Sequence, residues 1–266
     1  MMQRLNKTFA DLKQLKRKAL ITFITAGDPN LDATCDLVDT LVAAGADIVE
    51  LGVPFSDPLA DGPTIQAAST RSLAQGTTLK KIIAIVKEIR RRTEVPLVLM
   101  TYYNPLYHYG LEKLVNDAVA AGVDGLIVPD LPLEESAQLR RLAVEKLAVI
   151  PLAAPTTTDD RLARIVAAGS GFLYYVTVTG ITGTRTALPE ELSNFLDRVK
   201  KIAGSLPLAA GFGISTPEQA RTVGAHADAV IVGSALVEII AQSGNSAAGH
   251  QQLGDKIKEL RQALDA

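Results

Sequence analysis

Short apolar runs and longer amphipathic ones alternate along this chain. Leu20–Thr25, Asp47–Leu51, Pro96–Thr101, Asp124–Val128, Ala148–Ala153, Phe172–Val176, Pro207–Ala210 and Asp228–Val232 are brief, rich in aliphatic residues and free of polar alternation. Runs of that kind are strands buried on both faces, as in a parallel sheet. Helical periods separate them: Asp32–Ala44, Thr64–Leu73, Thr78–Arg92, Leu111–Ala121, Leu133–Lys146, Thr158–Ala168, Pro189–Ala203, Thr216–Val223 and Ala235–Ile240. In the third of these, Thr78 supplies a cap and Ile82, Ile83, Ile85, Val86 and Ile89 a wide apolar stripe. An amphipathic helix over 8–16, with Phe9, Leu12 and Leu15 on one side, precedes the first strand. A tail of about 247–266 follows a hinge at Ser243–Ser246 and carries a last amphipathic helix, Gln251–Leu264. Two helices end in Ala-Gly-X-Asp, at 44–47 and 121–124, where the glycine stops the helix in a left-handed turn just before the next strand.

Eight strand–helix units at a period of roughly 30 residues predict an α/β fold of the (β/α)8 TIM-barrel type, one domain over 1–266, with an extra N-terminal helix and a C-terminal helical extension. A doubly wound sheet is the structural alternative. It lacks support, because no G-x-G-x-x-G follows the first strand. With 47% hydrophobic and 21% charged residues the composition is that of a globular protein, and a net charge of −2 gives no general attraction to nucleic acid or an anionic membrane. Cys35 is the single cysteine, which rules out an internal disulfide and suits a reducing compartment; within its helical stretch it reads as an inert, half-buried thiol. Met1–Lys18 is polar and charged, so no secretory signal is expected, and no apolar run approaches the ~20 residues of a membrane span. The three histidines and one cysteine show no ligand spacing, so no metal site is expected.

The chemistry concentrates in Val49–Gly62. Glu50 interrupts an apolar strand with a carboxylate, which costs free energy unless it is paired or holds its proton. The strand runs into a Pro-, Gly- and Asp-rich loop that ends at Asp61, a second carboxylate able to fold back over the first. In many barrels the loops after the last two strands and a short helix N-terminus hold a phosphate. Here those positions read Gly211-Phe212-Gly213-Ile214-Ser215 and Gly233-Ser234, and the loop before them adds Thr179-Gly180-Ile181-Thr182-Gly183-Thr184. Glycines let backbone N–H groups approach an anion closely, and with little basic charge nearby the anion is held by those dipoles. The long loop 178–188, hinged by two glycines, is expected to act as a lid.

The segment Glu50-Leu51-Gly52-Val53-Pro54-Phe55-Ser56-Asp57-Pro58-Leu59-Ala60-Asp61-Gly62-Pro63-Thr64-Ile65-Gln66 closely resembles the signature of the tryptophan synthase alpha subunit. Leu20–Pro29, Gly180-Ile181-Thr182-Gly183 and Gly211–Ser215 match as well, so the resemblance spans nearly the whole chain. Ile181, where the family usually has Val, and the added aromatic Tyr103 are small departures, and the tail beyond Ser243 is the least family-like part. The resemblance implies a lyase that splits indole-3-glycerol phosphate into indole and glyceraldehyde 3-phosphate without a cofactor. Glu50 then serves as acid/base and Asp61 stabilises the charge on the indole N1–H. It further implies an indole slot of Phe23, Ile65, Met100, Tyr102, Ile127, Tyr174 and, deeper in, Ala153; a bond from Thr182 to Asp61 when the lid closes; and phosphate binding by Gly183, Phe212, Gly213, Gly233 and Ser234.

By the same resemblance the partner is a tryptophan synthase beta subunit in an αββα complex, with pyridoxal phosphate confined to that partner and indole passed across for tryptophan synthesis. The expected contact surface is Pro54, Asp57 and Pro58, then Asn104 to His108, then Asp130 to Glu135. Tyr102–Tyr107 is unusually aromatic for a chain only 5% aromatic, and such loops suit an interface. Two other readings share these residues: a stand-alone lyase that releases free indole, and a non-catalytic phosphate-binding barrel that only activates a beta subunit. The expected location is the cytoplasm, or the plastid stroma in a plant, although no transit peptide is visible.

Overall fold

The computed structural model describes residues 3–176, 190–211 and 213–266. Nine strands lie among them: β1 (Ala19–Thr25), β2 (Ile48–Gly52), β3 (Leu97–Met100), β4 (Gly125–Ile127), β5 (Ala148–Ile150), β6 (Leu152–Ala153), β7 (Leu173–Val176), β8 (Leu208–Gly211) and β9 (Ala229–Val232). They form one sheet in the order β5-β4-β3-β2-β1-β9-β8-β7-β6, with every neighbouring pair parallel. Because β5 and β6 follow each other in the chain, the two ends of that order meet and the sheet closes into the expected barrel. The ninth strand arises at Pro151, which has no N–H to donate. Residues before it pair with β4 (Ile127 with Ile150) and residues after it with β7 (Leu152 with Tyr174), so the single strand expected over 148–153 is divided.

Residues two apart on a strand share a face, and the two faces are packed differently. Ala19 and Ile21, Ile48, Val98, Ile127, Ala148 and Ile150, Phe172 and Tyr174, Ala209, and Ala229 and Ile231 fill the barrel interior. Leu20, Ile24, Val49, Leu51, Leu97, Leu99, Leu126 and Val230 point outward and pack in the larger cluster that the surrounding helices share. One end of the interior is closed by α1 (Gln3–Gln14), whose Leu5, Phe9 and Leu12 join the interior cluster. This helix starts well before residue 8. Leu15, expected on its apolar side, lies beyond its end and is 65% exposed.

The Ala-Gly-X-Asp pattern has a second use beyond stopping helices. Gly45 and Gly122 take positive φ (112° and 94°), and the aspartates that follow clamp the start of a neighbouring strand. Asp47 accepts from the Leu20 N–H (2.8 Å) and Asp124 from the Leu97 N–H (2.9 Å); Asp228, which follows no such glycine, does the same for the Leu208 N–H (3.0 Å). Each aspartate N–H donates back to the same residue's carbonyl. Buried Asp124 also accepts from Arg90 (3.0 Å) and Arg4 (3.2 Å), and Asp47 from Arg261 (2.9 Å). Arg261 belongs to α12 (Ala247–Asp265), which packs on α2 (Leu31–Ala43) and α10 (Pro217–His226), so the tail is part of the helical layer.

Two further elements differ from expectation. Tyr103–Tyr109, read as an aromatic loop, is a helix, α5, ended by Gly110 at φ 88°. The helix expected over Leu133–Lys146 is shortened to α7 (Ala137–Ala143), since Pro132 and the helical turn at 133–136 precede it and Glu145 takes φ 60° behind it. The remaining helices, α3 (Pro63–Ala74), α4 (Leu79–Ile89), α6 (Leu111–Ala121), α8 (Asp159–Ala168), α9 (Glu190–Ala203) and α11 (Ser234–Ser243), lie where their periodicity places them. Thr78 caps α4 by accepting from the Lys81 N–H. The expected lid, 178–188, lies outside the described residues.

Candidate active site

Glu50 follows Ile48 at the spacing of a strand, so it points into the barrel with the interior residues, near the C-terminal end of β2. It is fully buried, and neither carboxylate oxygen has a hydrogen-bond partner among the described residues. Burial alone lifts its pKa from 4.5 to about 8, so at neutral pH it is a carboxylic acid that holds its proton. Tyr174, from β7, lies near enough to both Glu50 and Asp61 for their charges to add to the burial that raises its phenol. Phe23 is the strand neighbour of Glu50. A Cβ at Gly52 would stand 2.5 Å from the Phe23 ring, so only glycine leaves that ring its place.

Asp61 sits on the irregular loop between β2 and α3, half-buried. Burial raises its pKa and a hydrogen bond from the Tyr102 hydroxyl partly offsets this. The same hydroxyl accepts the Ala60 N–H at 2.9 Å. Burial foremost, with the Asp61 charge adding to it, pushes Tyr102 up to about 12.

Phe23, Ile65, Met100 and Tyr102 line one small space with Asp61. Ile127 and Tyr174 belong to the barrel interior beneath it. Ala153 lines the larger cavity at the barrel mouth together with Leu152. Its packing is with the cluster that the helices share, whereas Leu152, opposite Tyr174, packs against the interior. The alternation that betrays this was hidden by Pro151, which divides the strand.

Elsewhere on the barrel mouth Gly213 has φ 64° and open space where a side chain would stand. Gly233 caps the N-terminus of α11 and Ser234 is its first residue. Gly213 and Ser234 share a cavity of about 780 Å³ with Asp61, Met100, Leu152 and Val176. A helix N-terminus beside glycine backbone suits an anion. Phe212, Thr182 and Gly183 lie outside the described residues. Among the described residues no group of three His, Cys, Asp or Glu is placed to hold a metal, and no helix is long and apolar enough to cross a membrane.

On the rim, Asp57, Asn104, Tyr107, His108, Asp130, Pro132, Glu134 and Glu135 are exposed, while Pro54 and Leu106, expected at the same surface, are buried. Leu59, which the sequence reading passed over, is 93% exposed on the Asp61 loop. A large apolar residue between two prolines' worth of turn and a catalytic-type carboxylate was the available signal.

A parallel barrel that brings a neutral buried carboxyl and a loop carboxyl to the C-terminal ends of its strands is of the barrel acid/base class. Comparison with known proteins narrows this. The family described as Tryptophan synthase alpha chain matches residues 9–265. The tryptophan synthase alpha chain of Geotalea daltonii is 49% identical over all of both chains, and that of Geobacter sulfurreducens is 49% identical over 99% of each. The crystal structure of tryptophan synthase subunit alpha from Legionella pneumophila superposes with a TM-score of 0.90 at 40% identity, covering 98% of each chain. The chain belongs to the tryptophan synthase alpha chain family.

Proposed function

We propose that Glu50 and Asp61 are the acid/base pair with which this chain carries out its family's lyase reaction, the cleavage of indole-3-glycerol phosphate to indole and glyceraldehyde 3-phosphate. The observation that carries the assignment is Glu50 itself: fully buried, without a partner, and protonated at neutral pH. An acid in that state can give its proton to indole C3. The carboxylate left behind can then accept the proton of the hydroxyl on the adjoining glycerol carbon. The bond from C3 to that carbon breaks, its electrons return to the indole ring, and the carbon becomes the aldehyde. One proton is given and one taken, so Glu50 ends as it began, and a pKa near the working pH serves both transfers.

Protonation at C3 spreads positive charge over the ring to N1, and Asp61 is assigned to accept the N1–H bond and stabilise that charge. Phe23, Ile65, Met100, Tyr102, Ile127 and Tyr174, with Ala153 deeper in and Leu152 beside it, form the slot for the flat ring. Gly213, Gly233 and Ser234 hold the phosphate through backbone N–H groups and the α11 N-terminus, together with Gly183 and Phe212. Thr182 is assigned to Asp61 in a closed lid.

The family's alpha chain acts with a beta subunit, to which pyridoxal phosphate belongs; the chain described here works without a cofactor. The αββα assembly, and a contact surface of Asp57, Pro58, Asn104, Tyr107, His108 and Asp130 to Glu135, now extended by Leu59, are part of this proposal. The bacterial relatives and the single free thiol, Cys35, support a cytoplasmic setting. A non-catalytic barrel is disfavoured because an unpartnered buried carboxyl destabilises a fold that has no use for it. The test is indole release from indole-3-glycerol phosphate by the purified chain with and without a beta subunit. Slow release that beta strongly accelerates supports the proposal. Fast release with no response to beta would show a stand-alone lyase, and no indole in either case would leave only a binding barrel.

A further inference from the structure

Asp61 must meet a ring nitrogen at hydrogen-bond distance, yet it lies on a stretch with no helix or strand to fix it, from Val53 to Gly62. Backbone bonds secure only the ends of that stretch: the Val53 N–H to the Met100 carbonyl (2.8 Å) and the Gln66 N–H to the Gly62 carbonyl (3.0 Å). Between them the Asp61 N–H reaches the Pro58 carbonyl at a long 3.4 Å. Two side chains from outside the loop grip it. From the barrel, the Tyr102 hydroxyl accepts the Ala60 N–H at 2.9 Å and lies close enough to the Asp61 carboxylate to lower its pKa against the effect of burial. From solvent, the Gln66 amide on the first turn of α3 donates to the Asp61 carbonyl at 2.9 Å and to the Pro58 carbonyl at 3.5 Å.

We propose that Gln66 is a positioning residue for Asp61, the outer half of a clasp whose inner half is Tyr102. This rests on the reading of Asp61 as the carboxylate that receives the ring N–H. Gln66 is exposed and lines neither the slot nor the anion site, so it acts on the reaction only through the loop. The residue type is informative. Two carbonyls converge on it, and a side chain that serves both must bring N–H donors. Glutamate has the same shape and no donor when ionised; methionine has the same reach and none at any pH; lysine has the reach and the donors. α3 does not need this side chain for its own cap, since Gly62 and Pro63 open the helix without one.

The test is kinetic and uses the full chain with its beta subunit. Gln66→Met is expected to lower kcat about 10-fold, the worth of losing one good and one weak hydrogen bond in a site where small misplacements are costly. KM should change little, because the phosphate contacts are untouched. Gln66→Glu should show the same loss and Gln66→Lys should recover most of it. The decisive arm repeats Gln66→Met in an Asp61→Asn background. A residue acting through the Asp61 carboxylate loses its effect there. The same fold-loss in both backgrounds, or full activity in both Gln66→Met and Gln66→Glu, would overturn the inference. Should Asp61→Asn alone keep wild-type activity, the reading of Asp61 falls, and this inference with it.

Discussion

Glu50→Gln should make the protein more stable as the pH rises, while removing its activity. In the unfolded chain Glu50 ionises near 4.5; in the folded barrel burial holds its proton to about 8. Between those values the folded state binds one more proton than the unfolded state. Wild-type stability therefore falls as pH rises through that window, and levels off above 8. At ~1.36 kcal/mol per pH unit the full window corresponds to about 5 kcal/mol. The amide of the variant occupies the same volume and does not titrate, so whatever it costs to bury is the same at every pH. Urea unfolding of both proteins at half-unit steps from pH 5 to 9 reads this directly. With a slope of about 3 kcal/mol per molar, the midpoint of the variant should gain on the wild type by roughly 1–2 M across the series. A midpoint difference that stays constant from pH 5 to 9, or that moves against the variant, would refute a buried, unpartnered and protonated Glu50. Stability gained by deleting a group while activity is lost is what a functional carboxyl in an unfavourable place predicts.

Other expectations follow from the same geometry. kcat/KM of the wild type should fall as pH rises past about 8, when Glu50 loses the proton it is proposed to donate, and a pH–rate profile flat to pH 9.5 would contradict this. Gly52→Ala should displace the Phe23 ring, costing about 1–3 kcal/mol in urea unfolding and raising KM for indole-3-glycerol phosphate. Asp124→Ala leaves Arg90 and Arg4 without their carboxylate and the Leu97 N–H without its acceptor; unfolding should show a loss of about 3–5 kcal/mol at unchanged kcat. Tyr102→Phe keeps the ring in place but removes the bond from the Ala60 N–H and the hydroxyl beside Asp61, so kcat should drop by about 10-fold while the phosphate product inhibits as before.

Much of the fold was legible because parallel strands buried on both faces leave an unmistakable alternation of apolar runs and amphipathic helices. The Gly that stops α6 and the Thr that caps α4 could be read one residue at a time. What escaped was set by tertiary contacts. Leu5 becomes core only because α1 plugs the barrel, and α5 was masked by Pro105 and its aromatics, which resemble a loop. Pro151 hid which of Leu152 and Ala153 faces inward, since register there depends on a change of partner from β4 to β7. Of the candidate site, Glu50 stood out because a carboxylate in an apolar strand has no structural excuse. The support for Asp61 did not stand out. Gln66 stands only five residues on, but that it turns back to the loop carbonyls is set by the folded loop, and Tyr102 reaches the loop from a different strand end.

The proposed lyase chemistry depends on Glu50 as proton donor and acceptor. Indole formation followed in a single turnover, with enzyme and beta subunit in excess over indole-3-glycerol phosphate, compares wild type with Glu50→Gln free of product release. The predicted result is a rate lower by about 10²–10⁴-fold in the variant, at unaltered substrate affinity. A variant that forms indole within a few-fold of the wild-type rate would contradict it, and the acid/base role would have to be sought at another residue of the barrel mouth.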